Sequence, residues 1–158
     1  MRAIRIIGSR VRFGIAILPL LLVPLATSSE KPSTYIGWTQ CTFCHSEISK
    51  AWRNSRHAKA IESLRKTKQE NLPECVKCHV TGYEQDGGFL DIELTPEMAG
   101  VQCEACHGPG SNHLTNVAEE PLQSKVPGVE ICRKCHTAKQ DPGFSYSEKS
   151  ARVHPVGQ

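Results

Sequence analysis

The stretch "CTFCH" at residues 41–45 returns three more times along the 158-residue chain. The other copies read "CVKCH" at 75–79, "CEACH" at 103–107 and "CRKCH" at 132–136. Their first cysteines fall at positions 41, 75, 103 and 132, and the four copies contain all eight cysteines of the chain. A pattern that includes every cysteine in this way predicts four sites of the same kind.

Three kinds of site are compatible with a C-x-x-C pair. A redox disulfide needs no histidine after the second cysteine. Two such pairs can form a tetrahedral zinc site, and this chain could form two, but zinc sites of this type do not need that histidine either. Four of the seven histidines of the chain occupy this one position. Covalent haem attachment requires the order found here, with two thiols for one porphyrin followed by an imidazole for its iron.

The repeated motif therefore predicts four covalently bound haem c groups, each containing iron. The attachment residues are Cys41 and Cys44, Cys75 and Cys78, Cys103 and Cys106, and Cys132 and Cys135. The proximal iron ligands are His45, His79, His107 and His136.

The second axial position of each iron must be filled from a small set of residues. Outside the motifs and the N-terminal segment, the chain offers His57, His113, His154 and Met98. At most three haems can therefore have two histidine ligands from one subunit. The one remaining haem takes Met98, takes a ligand from another chain, or stays five-coordinate. Met98 fits an apolar contact with a haem edge better than it fits the role of a ligand.

The surroundings of two spare histidines favour a role as ligands. The pattern of residues 46–64 predicts one helix with Ser46 as its N-cap and with His57 near the face that carries two apolar residues, Ile61 and Leu64. His113 follows His107 by six residues, beyond a Gly-Pro-Gly turn. Because six residues are too few to loop over the same porphyrin, we expect His113 to serve a neighbouring haem.

The N-terminal segment predicts export. Residues 1–14 carry four arginines and no acid, residues 15–26 are apolar, and small residues follow up to Ser28. This order is that of a secretory signal peptide over residues 1–28, which leaves residues 29–158 as one mature domain in the periplasm or outside the cell. An uncleaved anchor is the alternative, although a dozen apolar residues with two prolines are short for a membrane span.

Removing the signal also changes the charge. The chain has 19 basic and 16 acidic residues, and four of the basic ones lie in the signal, so the mature part has 15 − 16 = −1. No run of lysine and arginine in the mature part resembles a nucleic-acid-binding patch. About 130 residues that carry four haems cannot build a conventional apolar core. We therefore expect a mainly α, loop-rich fold of short helices wrapped around the haems, with one hairpin at the Asp-Gly-Gly turn of residues 81–94.

Several stretches resemble one known family. They are "YIGWTQCTFCHSEISKAWRNSRHAKA", "CVKCHVTGY", "GVQCEACHGPGSNH" and "CRKCH" with the later "HP". Together they resemble the tetrahaem cytochromes c of the cytochrome c-554 type, small electron carriers of nitrogen-oxidising bacteria. The resemblance implies that His113 binds the iron of the first haem, His57 that of the third and His154 that of the fourth. The second haem, attached next to His79, would then be five-coordinate.

Three functions follow from these expectations. The first is a periplasmic electron carrier without a catalytic residue, which passes electrons between redox protein partners by hopping from haem to haem. The second is a haem enzyme that reduces a small nitrogen or oxygen species at the five-coordinate second haem. The third is a subunit of a cytochrome filament, in which a neighbouring subunit supplies the missing ligand through self-association.

Overall fold

The computed structural model describes residues 31–153. The predicted signal peptide and His154 lie outside these residues. Eight short α-helices occur within the described range, none of them longer than eight residues. They are α1 Trp38–Cys41, α2 Ser46–Arg53, α3 Ala60–Thr67, α4 Pro73–Val76, α5 Cys103–His107, α6 Ser111–Thr115, α7 Val129–Arg133 and α8 Tyr146–Lys149, with 3₁₀ turns at Pro96–Met98 and Ser150–Arg152.

The mainly helical, loop-rich fold predicted from the sequence is confirmed. Residues 31–153 contain no strand, only an isolated antiparallel bridge between Val80 and Ala99. Within the same range, no helix has both the length and the apolar character needed to cross a bilayer.

The single helix predicted over residues 46–64 is wrong, because the chain forms two helices with an irregular link between them. The backbone N–H of Val101 donates to the His57 carbonyl at 2.9 Å, which ties this link to a distant segment. Within the link, the Ser55 hydroxyl accepts the N–H of Ala58 at 3.3 Å. Ser46 is the first residue of α2 rather than its cap, and the cap position, at His45, makes no side-chain bond. His57 therefore lies in the link and not on a continuous helix face.

The largest apolar cluster joins α3 to the loop after the second motif. Six buried side chains form it: Ile61, Leu64, Val76, Val80, Phe89 and Met98. Met98 is a core residue of this cluster, with 2% of its surface exposed. The preference for an apolar role of Met98 is consistent with this position. The cluster lies next to the second motif, because Cys75 packs against it.

The hairpin predicted for residues 81–94 is also wrong. The loop instead folds on itself through two backbone bonds to Phe89: its N–H donates to the Thr81 carbonyl at 3.0 Å, and its carbonyl accepts from Glu84 at 2.9 Å. Phe89 has a different partner in each bond, so the paired exchange of an antiparallel ladder does not form. The turn is also held from outside, since the N–H of Tyr35 donates to the Asp86 carbonyl at 2.9 Å.

Gly88 provides a test of this close packing. A Cβ at position 88 would overlap the Gly82 carbonyl group, whereas a Cβ at Gly143 would meet nothing within 4 Å. We expect Gly88→Ala to lower the free energy of unfolding of the haem-loaded protein by roughly 1–3 kcal/mol, measured by chemical denaturation. Gly143→Ala is the matched control and should leave it unchanged, so equal losses in the two variants would contradict the described loop.

A buried carboxylate fastens the N-terminal segment to the third motif. The side chain of Glu104 accepts hydrogen bonds from the backbone N–H groups of Ile36, Gly37 and Gly110, the shortest two at 2.8 Å. Next to it, the buried side chain of Gln102 accepts from the N–H of Trp38, also at 2.8 Å. Burial raises the pKa of Glu104, and the three N–H donors oppose part of this rise because they favour the ionised form.

Candidate haem sites

Each of the four motifs is wound into a helical turn. The N–H of His45 donates to the Cys41 carbonyl and that of His136 to the Cys132 carbonyl, both at 2.9 Å. The third motif is a helix in itself, α5, and in the second the N–H of His79 donates back to the Val76 carbonyl at 2.7 Å. Residues three and four apart share one face of a helix. The winding therefore presents both sulfurs and the imidazole of a motif on the same side.

The motif histidines have one ring nitrogen occupied in three of the four cases. The Nδ1 atom of His79 bonds to the Ala60 carbonyl at 2.8 Å, and that of His107 bonds to the Ser124 carbonyl at 2.6 Å. His136 instead bonds to a carboxylate oxygen of Asp141 at 2.9 Å. Since all three acceptors are oxygens, each Nδ1 carries the proton and Nε2 keeps its lone pair. This tautomer is the one that binds a metal through Nε2.

His45 differs from the other motif histidines. It is exposed, and its ring makes no hydrogen bond with any residue from 31 to 153. The first motif is held instead by its neighbours: the Trp38 ring lies 5.3 Å from that of Trp52, whose indole N–H donates to the Val101 carbonyl at 2.9 Å. The backbone of this motif is therefore anchored, while its imidazole is not.

Contacts between distant segments show which motifs are neighbours. The N–H of Trp38, in α1, donates to the side chain of Gln102 at 2.8 Å, which places the first motif beside the third. The Cys78 sulfur lies 4.0 Å from the Lys134 carbonyl oxygen, which places the second motif beside the fourth. His57 connects the third motif to the fourth, because its carbonyl accepts from the N–H of Val101 at 2.9 Å and its ring meets that of His136. The four motifs therefore follow the spatial order first, third, fourth, second.

Burial and neighbouring thiols set the acidity of the cysteines in the haem-free chain. Burial and the Cys78 thiol raise the pKa of Cys135 to about 12. The Cys41 thiol and burial raise the pKa of Cys103, whereas the Cys103 thiol lowers the pKa of Cys41 because it favours the Cys41 thiolate. None of the eight cysteines forms a disulfide, so each motif has two sulfurs for a porphyrin.

Side chains from several segments surround the fourth motif. The ring of Phe144 stacks on that of His136, with centroids 4.5 Å apart and an interplanar angle of 22°. The ring of His57 meets His136 edge-on with centroids 6.0 Å apart. The Lys149 ammonium group reaches both carboxylate oxygens of Asp141, at 3.0 and 3.2 Å. The imidazole of this motif is therefore held by a hydrogen bond and by ring packing together.

Two of the three spare histidines predicted as ligands can be located. His113 lies in α6, and its Nδ1 atom bonds to the Glu120 carbonyl at 2.9 Å, which again leaves Nε2 available. His57 lies between α2 and α3, where burial and the neighbouring His136 lower its pKa, so its ring stays neutral as a metal ligand requires. The third, His154, lies outside the described residues.

The side chains of this chain fit haem better than a bare metal ion. Among residues 31–153, no three Cys, His, Asp or Glu side chains converge in a way that could hold a metal ion. The motifs supply instead two free thiols and one oriented imidazole each. That donor set matches a porphyrin that brings four of the six iron ligands itself. Haem c, when bound, supplies an iron that accepts and releases one electron.

Sequence reasoning missed the groups that orient the imidazoles. Backbone carbonyls do so at Ala60, Ser124 and Glu120, and carbonyls carry no sequence signal. Asp141 follows its motif histidine by five residues, but Glu84 follows His79 by the same interval, and the Nδ1 atom of His79 bonds to Ala60 instead. Only the folded chain distinguishes these two acids.

Comparison with known proteins agrees with this geometry. The family described as cytochrome c554 and c-prime matches residues 40–108, which contain the first three motifs. Cytochrome c-554 of Nitrosomonas europaea is 30% identical over 156 residues, a match that covers 89% of this chain and 66% of that relative. The chain thus spans about two thirds of the relative's length.

A solved structure has the same fold. The reduced state of cytochrome c554 from Nitrosomonas europaea matches with a TM-score of 0.61 at 24% identity, over 81% of this chain and 86% of the other. The family resemblance read from the motifs is therefore confirmed, as is the predicted cofactor. The chain is a member of the cytochrome c-554 family of tetrahaem c-type cytochromes, and its cofactor is covalently bound haem c with iron.

Proposed function

We propose that this cytochrome is a periplasmic electron carrier in which electrons hop between four haem sites in the spatial order first, third, fourth, second. The observation that supports the proposal is a set of contacts between the motif segments: Trp38 with Gln102, Cys78 with Lys134, and His57 with both Val101 and His136. Because each motif is a point of porphyrin attachment, groups bound at neighbouring motifs would lie side by side.

Each motif residue has a role in this proposal. The eight cysteines fix the position of the cofactors, and His45, His79, His107 and His136 bind the irons from the proximal side. The carbonyls of Ala60 and Ser124 keep the rings of two of these histidines from rotating. Fixed ligands favour electron transfer, because little has to rearrange when the charge of the iron changes.

The distal ligands of this proposal are those that the family resemblance implies. His113, whose Nε2 atom is left available, would serve the first haem. His57 would serve the third haem and His154 the fourth, and the second haem, next to His79, would have no histidine left from this chain.

The location and partners belong to the proposal too. The signal peptide of residues 1–28 would direct the chain out of the cytoplasm. The c-type haems would be attached to the domain of residues 29–158 after export. A carrier of this kind takes its electrons from one redox protein and delivers them to another. Its surface contacts with both would be short-lived, as is usual for electron-transfer complexes.

The relay order can be tested by removing one site at a time. Cys132→Ala with Cys135→Ala removes the fourth haem, which lies between the second and third sites. After injection of less than one electron per molecule by a light flash, we expect redistribution among the remaining haems to slow. Absorbance in the α-band region follows this redistribution, and a haem count of three with unchanged circular dichroism shows that the variant is folded.

The matched control removes a terminal site. Cys41→Ala with Cys44→Ala leaves the third, fourth and second sites contiguous, so redistribution should keep its wild-type rate. If loss of the terminal site slows redistribution as much as loss of the interior site, the proposed order is wrong.

The enzyme and filament hypotheses differ from the carrier in spin state. Electron paramagnetic resonance of the purified protein counts low-spin and high-spin irons directly. One high-spin iron that binds added nitric oxide keeps the enzyme hypothesis open. Four low-spin irons in the monomer would exclude an open site, and low-spin irons that appear only on assembly would favour the filament.

A further inference from the structure

In the fourth motif, the acceptor of the histidine is a charged side chain. His136 donates its Nδ1 proton to Asp141, whose side chain is 27% exposed. The corresponding acceptors of His79 and His107 are the neutral carbonyls of Ala60 and Ser124. Three otherwise similar imidazoles of one chain therefore differ in the charge of their hydrogen-bond partner.

Asp141 is held in place for this contact. Its backbone N–H donates to the Thr137 carbonyl at 2.8 Å, and its carbonyl accepts from the Phe144 N–H at 3.1 Å. The Phe144 ring then stacks on His136. One short turn thus sets both the carboxylate and the aromatic ring against the same imidazole.

Lys149 is the counter-charge of this carboxylate. It lies at the end of α8, and the Tyr146 hydroxyl of that helix donates to the Pro127 carbonyl at 2.7 Å, just before α7. This bond keeps α8 close to the motif. The Lys149 ammonium group lies 3.0 and 3.2 Å from the two carboxylate oxygens of Asp141, and this ion pair favours the charged form of the carboxylate.

An ionised acceptor changes what the histidine offers to a metal. It draws the Nδ1 proton towards itself and so increases the electron density at Nε2. A more basic ligand, with a negative charge behind it, stabilises ferric more than ferrous iron, and the reduction potential falls. The Lys149 ammonium group counters this effect, since its positive charge draws the carboxylate charge away from the ring.

From this arrangement we infer that Asp141 is a positioning residue that lowers the reduction potential of the fourth site, and that Lys149 limits the size of that effect. The inference rests on the proposed haem ligation by His136. The fourth site is one of the two interior sites of the relay, and it would favour the oxidised state more than a site whose histidine bonds to a carbonyl. The acid and the lysine together would set its reduction potential.

Two substitutions with opposite expected signs test the inference. In Asp141→Asn the amide oxygen still accepts from His136 but has no charge, so one of the four midpoint potentials should rise while three stay in place. In Lys149→Met the carboxylate acts on the ring without its counter-charge, so the same potential should fall. Spectropotentiometric titration of the haem-loaded protein measures both shifts. The centre that moves should be the one missing from the variant without Cys132 and Cys135.

Glu148→Gln is the matched control, because it removes an exposed acid of α8, the helix that also contains Lys149, and it should move none of the four potentials. Four bound haems with potentials unchanged in Asp141→Asn would overturn the inference and leave the proposed sites intact. Shifts of the same sign in both variants would also overturn it. Absence of haem on Cys132 and Cys135 would instead overturn the proposed site itself, and peptide mapping distinguishes that result from the other two.

Discussion

The chain prepared without haem should lack a cooperative fold. Within residues 31–153, only seven apolar side chains are buried, and six of them belong to one cluster beside the second motif. The helices are four to eight residues long, well below the length that is stable alone in water. The segments around the first, third and fourth motifs therefore depend on the porphyrins for most of their apolar contacts. Far-UV circular dichroism should show that most of the helical signal is lost.

The comparison needs the thiols to be kept reduced. The chain contains eight cysteines, and oxidation of a haem-free sample would join some of them and obscure the result. The haem-free sample is therefore measured with a thiol reductant and compared with the haem-loaded protein in the same buffer. Amide hydrogen exchange gives a second measure, and protection equal to that of the haem-loaded protein would contradict the dependence on haem.

Apart from substitutions of the motif cysteines and histidines, loss of the Glu104 carboxylate should be the single substitution that lowers the stability of the fold most. Glu104→Ala leaves the N–H groups of Gly37 and Gly110 buried without an acceptor and frees the segment that contains Ile36. An unsatisfied buried donor costs about 1–3 kcal/mol, so we expect a loss of about 3 kcal/mol or more in the free energy of unfolding of the haem-loaded protein. Chemical denaturation followed in the haem absorbance measures it.

Two further variants separate the hydrogen bonds from the charge. Glu104→Gln keeps one acceptor oxygen but turns an NH₂ group towards another donor, so it should cost less than Glu104→Ala but still about 1–3 kcal/mol. Glu93→Ala removes an exposed acid and serves as the control, with no measurable loss expected. Similar stability of the Glu104→Ala and Glu93→Ala proteins would show that the carboxylate does not fasten the N-terminal segment.

The sequence predicted those features that depend on local pattern. The geometry of the motif "CRKCH" follows from its spacing alone, because one helical turn brings Cys132, Cys135 and His136 to one face. The abundance of motifs in a short chain also indicated the small core and the short helices. The apolar role of Met98 could also be predicted, because its thioether is an apolar group as well as a possible iron ligand, and the side chain is buried in the core.

Features that depend on contacts between distant segments could not be predicted. The helical pattern of residues 46–64 is strong, yet the carbonyl of His57 is bonded by Val101 and the helix is interrupted there. The acceptor of a motif histidine can be any carbonyl, and the sequence contains nothing that marks Ala60. Glu104 occupies a spacer position of the third motif, and nothing in the sequence marks it as the acceptor of three backbone N–H groups.

Peptide mapping of the mature protein by mass spectrometry tests the central claim most directly. Proteolysis should yield four haem-bearing peptides, one for each motif, with each cofactor attached to the cysteine pair of that motif. The intact mass should then equal that of the polypeptide plus four haems. A motif peptide recovered with two free thiols, with a disulfide or with zinc in place of haem would contradict the account.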